Sequence, residues 1–293
     1  MRFYLNMKTN SINNINYRAG YTHQIAAMEK RIKPIQVESY FKNSKYCDWG
    51  DFRNTDLKNN KAIALANKLC AKIFINFRKI YDFRPGYSFQ NHLFPKDLYV
   101  LNEQEQNSIP NFTDSGCLIK CLGLDARPIK DKPTFNIGTL LFSSEIKSLE
   151  QMNKTAESEY LDKWWSTNHY LHPFIHDWIH SSFYLTLVHR ARNEGFDYKN
   201  TVKNYDIQVL TDKEKEIVSD VLGRYALSPE YGQYQEIFAE AWTKFICESL
   251  ADDCVTFKKN PLDILKSTPK EFQTILEKVS KIKLYNFYGK EVK

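Results

Sequence analysis

The sequence predicts an α+β domain that is mostly helical and carries a small mixed sheet. Two observations predict this class: apolar residues recur at helical spacing in long segments of the chain, and three short strand-like runs lie between them. Of the 293 residues, 42% are hydrophobic, which is enough for a sizeable core. We expect the domain to cover residues 59–293. Residues 1–58 are rich in Asn, Lys, Ser and Tyr and show little periodicity, which is typical of a loosely ordered leader or delivery segment.

The first helix of the predicted domain lies in NNKAIALANKLCAKIFINFRKI. Apolar residues repeat there every three or four positions, until RPGYS ends the pattern. Three short runs follow, DLYVLN, GCLIKCLG and TFNIGTLLFSS, separated by turns that contain Pro, Asp and Gly. We expect these runs to form the strands of a small sheet.

The second half of the chain is predicted to be helical. SLEQMNKTAESEYLDKWWS has the pattern of a helix, and His172 and Pro173 mark the N-cap and first position of the next one. Thr211 is the expected N-cap of the helix in TDKEKEIVSDVLGRYA. Two further helices lie in EYGQYQEIFAEAWTKFICESLADD and TPKEFQTILEKVSKI, the latter with Thr268 and Glu271 as an expected capping box.

Composition disfavours several classes of protein. No run of about 18 apolar residues occurs, and the N-terminus lacks an apolar region of signal-peptide length, so we expect neither a membrane span nor a Sec signal. The net charge of +6 is spread without a dense basic block, which disfavours a specific nucleic-acid partner. Six scattered cysteines without a C-x-x-C pair disfavour a zinc ribbon or disulfide scaffold and predict a reducing compartment.

Four of the seven histidines are crowded into NHYLHPFIHDWIHSSFY. His176 and His180 are four residues apart, so on a helix they face the same way and can bind one ion. Asp177 follows the first of them, where the H-E-x-x-H motif of zinc metallopeptidases has a glutamate that acts as general base on water. The apolar neighbours also fit a buried helix on which a histidine is an ordinary core residue, so packing remains an alternative.

A catalytic zinc site of this kind needs a third protein ligand. Glu236 and Glu240 share one face of the helix in QYQEIFAEAWTKF, where carboxylates among apolar neighbours are rarely found without a partner. The alternative is that one glutamate is exposed and the other pairs with Lys244. The upstream histidine pair favours the ligand role.

These segments together resemble the zincin-like metallopeptidases related to the catalytic domain of anthrax lethal factor. In that family H-E-x-x-H is followed, some tens of residues later, by a Tyr-containing turn and a helix that begins E-F-F-A-E-A-F. HDWIH and EIFAEAW are similar to these two signatures in order and separation, and STPKEFQTILEKVSKI resembles the closing helix of the same domain. The resemblance covers roughly residues 165–293, and the preceding helix and strands fit the other half of a zincin domain in architecture.

The resemblance implies a role for each matching residue. His176, His180 and Glu236 would bind Zn2+, and Glu240 would orient a ligand histidine without touching the ion. Asp177 would be the general base.

The family also has a tyrosine before the ligand glutamate that hydrogen-bonds the developing oxyanion. Tyr225 in RYALS fits this role by sequence context, and Tyr231, which is nearer to the ligand glutamate, stays an alternative. His169 and His172 fall outside the pattern. We interpret them as cap, surface or substrate-cleft residues, because the proline after His172 is expected to interrupt the helical face.

The implied function is that of a zinc-dependent endopeptidase, which cleaves a protein or peptide through a zinc-activated water. The family's frequent role as toxins implies a bacterial effector that reaches a host cell by a non-Sec route; otherwise we expect the chain to be cytoplasmic. A catalytically inactive zincin-fold binding module is the main alternative, favoured by aspartate at the position of the base. A helical interaction protein without a metal is the third interpretation.

Overall fold

The computed structural model describes residues 60–80, 95, 98–107, 118–123, 137–228 and 233–292. The expected leader and the alternative tyrosine, Tyr231, lie outside these residues. In the described part of the chain, no helix is both long and apolar enough to cross a bilayer. Four of the cysteines lie in this part and carry free thiols: Cys70, Cys121, Cys247 and Cys254.

The described residues form helices α1 to α9, a short 3₁₀ helix and strands β1 to β5. The helices are Lys61–Ile80, Glu103–Asn107, Leu149–Leu161, His172–Glu194, Tyr198–Asp206, Asp212–Leu222, Gln233–Ser249, Pro261–Ser267 and Lys270–Val279, with the 3₁₀ helix at Tyr225–Leu227 between α6 and α7. The strands are Leu98–Leu101, Ile119–Cys121, Leu140–Ser143, Leu284–Tyr285 and Glu291–Val292. The prediction of a mostly helical chain with a small mixed sheet is confirmed, and this composition is compatible with the α+β class.

The three predicted strand segments pair into one sheet in the order β1-β3-β2. The central strand, β3, is parallel to β1 and antiparallel to β2, with Leu140 opposite Leu98 and Phe142 opposite Ile119. Every residue of β1 and β3 is buried, as in a sheet that is covered on both faces. The pair β4 and β5 forms a separate two-stranded sheet that the sequence analysis did not predict.

The capping interactions of two helices test the predicted helix starts. The hydroxyl of Thr211 accepts the backbone N–H of Glu214, whose carboxylate accepts the N–H of Thr211, so this predicted N-cap is confirmed. The capping box at Thr268 and Glu271 is wrong, because the N-cap of α9 is the proline between them and makes no side-chain bond. The Thr268 hydroxyl instead donates to the carbonyl of Leu265 at the end of α8, a helix that was not predicted.

Among the described elements, helix α4 is the longest, and it is largely buried. It begins one residue earlier than predicted: Leu171 is the N-cap and His172 is already helical. Pro173 is tolerated in the first turn because an N–H there has no intrahelical acceptor. Gly195 ends the helix with a left-handed φ of 76°, which suits a residue without a Cβ atom.

Aromatic contacts hold α4 between α1 and the sheet. The ring centroids of Phe74 and Trp178 are 5.4 Å apart, and those of Phe142 and Phe174 are 5.9 Å apart. The buried indole N–H of Trp178 donates to the side-chain oxygen of Asn67 at 2.9 Å. These contacts fix the rotation of α4 about its axis, and with it the direction of its polar face.

Candidate metal centre

One face of α4 carries three imidazoles and a phenol at four-residue spacing: His172, His176, His180 and Tyr184. Residues four apart lie on the same side of a helix, and ring centroids of neighbours along this face are 4.6 to 6.3 Å apart. The three histidines are buried. Their ring nitrogens contact helix α7.

Helix α7 supplies two buried carboxylates to the same interface. Glu236 lies in the first turn, where the helix dipole favours negative charge, and Glu240 lies one turn further on. Glu240 contacts His172 at the start of α4, whereas Glu236 contacts His176 and His180 further along it. The two helices are therefore antiparallel at this point, and each carboxylate lies opposite an imidazole.

Three of these side chains converge on one point. The Oε2 atom of Glu236 is 3.0 Å from Nε2 of His176, and its Oε1 atom is 3.2 Å from Nε2 of His180. The two Nε2 atoms are 2.9 Å apart. One donor atom from each residue lies within 4.8 Å of the others, so the group could hold a metal ion.

On the other side of the His176 ring lies Glu240, whose side chain is 0% exposed. Its Oε1 atom is 2.9 Å from Nε2 of His172 and 3.3 Å from Nδ1 of His176, the latter at an angle outside that of an aligned hydrogen bond. Its Oε2 atom accepts the Ser166 hydroxyl at 2.6 Å. Glu240 thus contacts a histidine of the convergent group without belonging to that group.

A second set of donors, His172, His176 and Glu240, lies equally close together. It is less suited to an ion, because two hydroxyls from outside the set bind its polar atoms: that of Ser166 donates to the Glu240 carboxylate, and that of Thr167 contacts Nδ1 of His172. The group of His176, His180 and Glu236 also lines a cavity, whereas Glu240 does not. We therefore take that group as the candidate metal centre.

The protonation of the centre follows from its paired charges. Burial alone would lower the pKa of His176, but its close contacts with Glu236 and Glu240 and the charges of these two carboxylates raise it well above 6.5. Burial alone would raise the pKa of Glu236, but the charge of His180 and hydrogen bonds from both histidines lower it to about 2. Burial alone would also raise the pKa of Glu240, but His172 and His176 lower it. A proton on His176 therefore competes with any cation for this centre.

A cavity of about 60 Å³ lies against the candidate centre, with room for on the order of two water molecules. Side chains from β2, α4, α7 and the 3₁₀ helix line it. Besides the three donors they are Ile119, Lys120, Cys121, Asp177, Tyr184 and Tyr225.

Asp177 lies in this cavity beside the two histidines. Burial raises its pKa, and the charges of His176 and His180 oppose that rise. The backbone of Cys121 on strand β2 also opposes the rise. Asp177 therefore has a greater tendency to hold a proton than an exposed aspartate.

Tyr225 reaches the cavity from the 3₁₀ helix. Its ring is edge-on to that of His176, with centroids 5.3 Å apart, and its backbone N–H donates to the carbonyl of Trp164 at 3.0 Å. The structure thus places Tyr225 beside the candidate centre. The alternative, Tyr231, lies between the described ranges, so its place is not compared.

The predicted site residues meet in one place. His176, His180, Glu236, Asp177 and Tyr225 all line the cavity, and Glu240 contacts His176 from outside it. Their chemical roles stay predictions.

Two interpretations made from the sequence are wrong. His172 is neither a cap, a surface residue nor a cleft residue; it is 1% exposed and bound to Glu240, because a proline in the first turn does not interrupt the helical face. The alternative pairing of a glutamate with Lys244 is also excluded, since Lys244 binds Glu248 at 2.5 Å and both candidate glutamates are buried. Sequence reasoning missed Tyr184, which four-residue spacing from His180 could have identified.

Comparisons of the chain with protein-family models, curated proteins and solved structures find no match.

Proposed function

We propose that this chain is a zinc-dependent endopeptidase of zincin type, similar to the catalytic domain of anthrax lethal factor. One observation carries the proposal: the donors of His176, His180 and Glu236 converge on a cavity that is also lined by Asp177 and Tyr225. These are the residues to which the resemblance assigns metal binding, general-base catalysis and oxyanion stabilisation.

The donor set favours zinc. Two imidazole nitrogens and one carboxylate oxygen form a known ligand set of catalytic zinc sites, which leave a fourth position for water or substrate. When bound, such an ion lowers the pKa of a coordinated water and polarises a carbonyl group. His176, His180 and Glu236 would supply its protein ligands.

Asp177 is the candidate general base. Its side chain lines the cavity together with the metal-ligand candidates. Burial raises its pKa, which brings the group closer to the range in which a base can both accept a proton from water and pass it to a leaving amine.

Tyr225 is the candidate oxyanion donor. A phenol O–H beside the metal ligands can hydrogen-bond an oxygen on which negative charge develops during attack on a carbonyl. The position of its ring in the cavity, edge-on to His176, supports this role.

A second candidate function is a zinc-stabilised binding module without catalysis. The observation that favours it is Asp177 itself, because its side chain is one methylene shorter than the glutamate of the H-E-x-x-H motif. A base must approach the water within roughly 2.6–3.2 Å. A carboxylate that is held too far back would leave a metal centre that binds but does not cleave.

Metal analysis and a cleavage assay test the two functions together. Purified protein should contain about one zinc per chain and should cleave members of a broad peptide library. A chelator should abolish cleavage, and added zinc should restore it. A matched control, His189→Gln at the far end of α4, should behave as wild type. Absence of zinc would overturn both functions, whereas zinc without cleavage would leave the binding module.

A further inference from the structure

His172 lies at the end of the polar interface between α4 and α7 and is bound at every polar atom of its ring. Its Nε2 atom is 2.9 Å from Oε1 of Glu240, and its Nδ1 atom is 3.1 Å from the hydroxyl of Thr167. The indole of Trp165 stacks on the ring at 4.7 Å, with only 7° between the two planes. The segment before α4 therefore holds this imidazole in one orientation.

The carboxylate of Glu240 sets the direction of these hydrogen bonds. A carboxylate oxygen only accepts, so Nε2 of His172 carries a proton and donates it to Oε1 of Glu240. In the tautomer with one ring proton, Nδ1 of His172 then accepts from the Thr167 hydroxyl, whose oxygen also accepts the backbone N–H of His169 at 3.3 Å. The Ser166 hydroxyl donates to the other oxygen of the same carboxylate.

Glu240 is thereby fixed in front of His176. Its Oε1 atom is shared between His172 and Nδ1 of His176, at 2.9 and 3.3 Å. The negative charge of this carboxylate, 3.3 Å from Nδ1, favours a proton on that nitrogen and leaves Nε2, on the cavity side, as the nitrogen that can bind an ion.

We propose that His172 is a positioning residue of the metal centre: by holding Glu240 it sets the orientation and the coordinating nitrogen of His176. This inference rests on the proposed function. His172 lies outside the H-x-x-x-H pair. It acts through the carboxylate of Glu240 and does not touch the ion.

The alternative use of the same atoms is a second metal site formed by His172, His176 and Glu240. Hydrogen bonds from Ser166 and Thr167 occupy the atoms that would have to turn toward such an ion. A hydrogen-bonded chain accounts for each of these contacts without an ion. Two zinc ions per chain would contradict the proposal.

The test uses the full chain as wild type, His172→Leu, His172→Gln and the control His189→Gln. Zinc dissociation constants are measured by competition with a chromophoric chelator, and visible absorption is recorded after loading with Co2+. We expect His172→Leu to weaken zinc binding by about tenfold or more and to shift the cobalt bands. His172→Gln, whose amide can donate to Glu240, should recover most of the affinity, and the control should match wild type.

Unfolding temperatures, measured in the presence of a chelator, show whether His172 positions the metal centre or only stabilises the fold. A purely structural residue would lower the unfolding temperature of His172→Leu while the folded protein kept the wild-type affinity and cobalt bands, and that result would overturn the proposal. Equal losses for the Leu and Gln variants would do so as well. If His172→Leu does not fold, Thr167→Val takes its place, and wild-type bands in that variant would reject the proposal.

The two proposals fail in different ways. A wild type that binds no zinc would contradict the proposed function, and this inference with it. A wild type that binds zinc and cleaves peptide, with an unchanged His172→Leu variant, would overturn this inference alone.

Discussion

The Nε2 atoms of His176 and His180 lie 2.9 Å apart. With zinc–nitrogen bonds of 2.0–2.1 Å and tetrahedral angles, two nitrogens on one ion would be about 3.3 Å apart. The observed separation suits a shared proton, and a small outward movement of the two rings would suit an ion. Proton and metal thus compete for the same lone pairs, and the pH of the solution should decide between them.

Zinc binding should release protons near neutral pH. The pKa of His176 is raised well above 6.5, so below that raised pKa the ring is protonated and the ion must displace a proton. Zinc affinity should therefore fall as the pH falls through the neutral range. Calorimetric titrations in buffers of different ionisation enthalpy measure the number of protons released. A dissociation constant that does not change between pH 6 and pH 8 would contradict the assignment of His176 as a ligand.

Replacing the two buried glutamates should have unequal effects on zinc binding. Glu236→Gln removes a carboxylate ligand, whereas Glu240→Gln weakens the support of a ligand histidine, a loss of typically 10–100-fold in affinity or activity. We expect the first variant to lose distinctly more affinity than the second in a chelator competition assay. Glu216→Gln, on the exposed side of α6, is the matched control. Equal losses would show that the third ligand is placed wrongly.

Asp177 decides between the enzyme and the binding module. If it is the base, Asp177→Asn should keep its zinc and lose turnover by about 10²–10⁴-fold. Asp177→Glu should then be tolerated, unless the cavity has no room for the longer side chain. Zinc content and peptide cleavage are measured side by side, with Asp220→Asn on the surface of α6 as control. A wild type that binds zinc and cleaves nothing, next to an active Asp177→Glu, would make the natural chain a binding module.

Tyr225→Phe should affect turnover and leave zinc content unchanged. The variant keeps the ring that lies edge-on to His176 and removes only the hydroxyl, so a loss of about 10²–10³ in kcat is expected if that group binds the oxyanion. Tyr160→Phe, on the exposed side of α3, should retain wild-type turnover. Full activity of Tyr225→Phe would favour Tyr231 as the oxyanion donor. Loss of zinc from this variant would instead indicate that the Tyr225 hydroxyl has a structural role.

Much of the fold could be predicted from local pattern. The apolar spacing of α1, the run of strands and the Thr211 cap depend on residues within a few positions of one another, and the structure has all three. Short elements such as α8 escaped prediction because seven residues contain too few helical turns to show a period. The Thr268 error has the same source, since the unseen helix bonds the threonine hydroxyl.

The candidate site could be predicted only in part, because some of its contacts join residues that are far apart in the sequence. The spacing of His176 and His180 on one helix is visible in the sequence, and so is that of Glu236 and Glu240 on another. The attachment of His172 to Glu240 depends on how the two helices cross, which no local pattern contains. The contribution of strand β2 to the cavity is equally a matter of tertiary packing.

The antiparallel pairs between α4 and α7 also fix the register in which these helices can meet. Sliding α7 by one turn in one direction would bring Glu240 to His176 and Glu236 to His180. His172 would then have no carboxylate partner. Sliding it the other way would take Glu240 away from His176 and Glu236 away from His180. Either slip separates a buried polar side chain from its partner, which typically costs about 1–3 kcal/mol, whereas apolar helices tolerate such shifts more readily. The same row of charges that could hold a metal therefore selects one alignment of the two helices during folding.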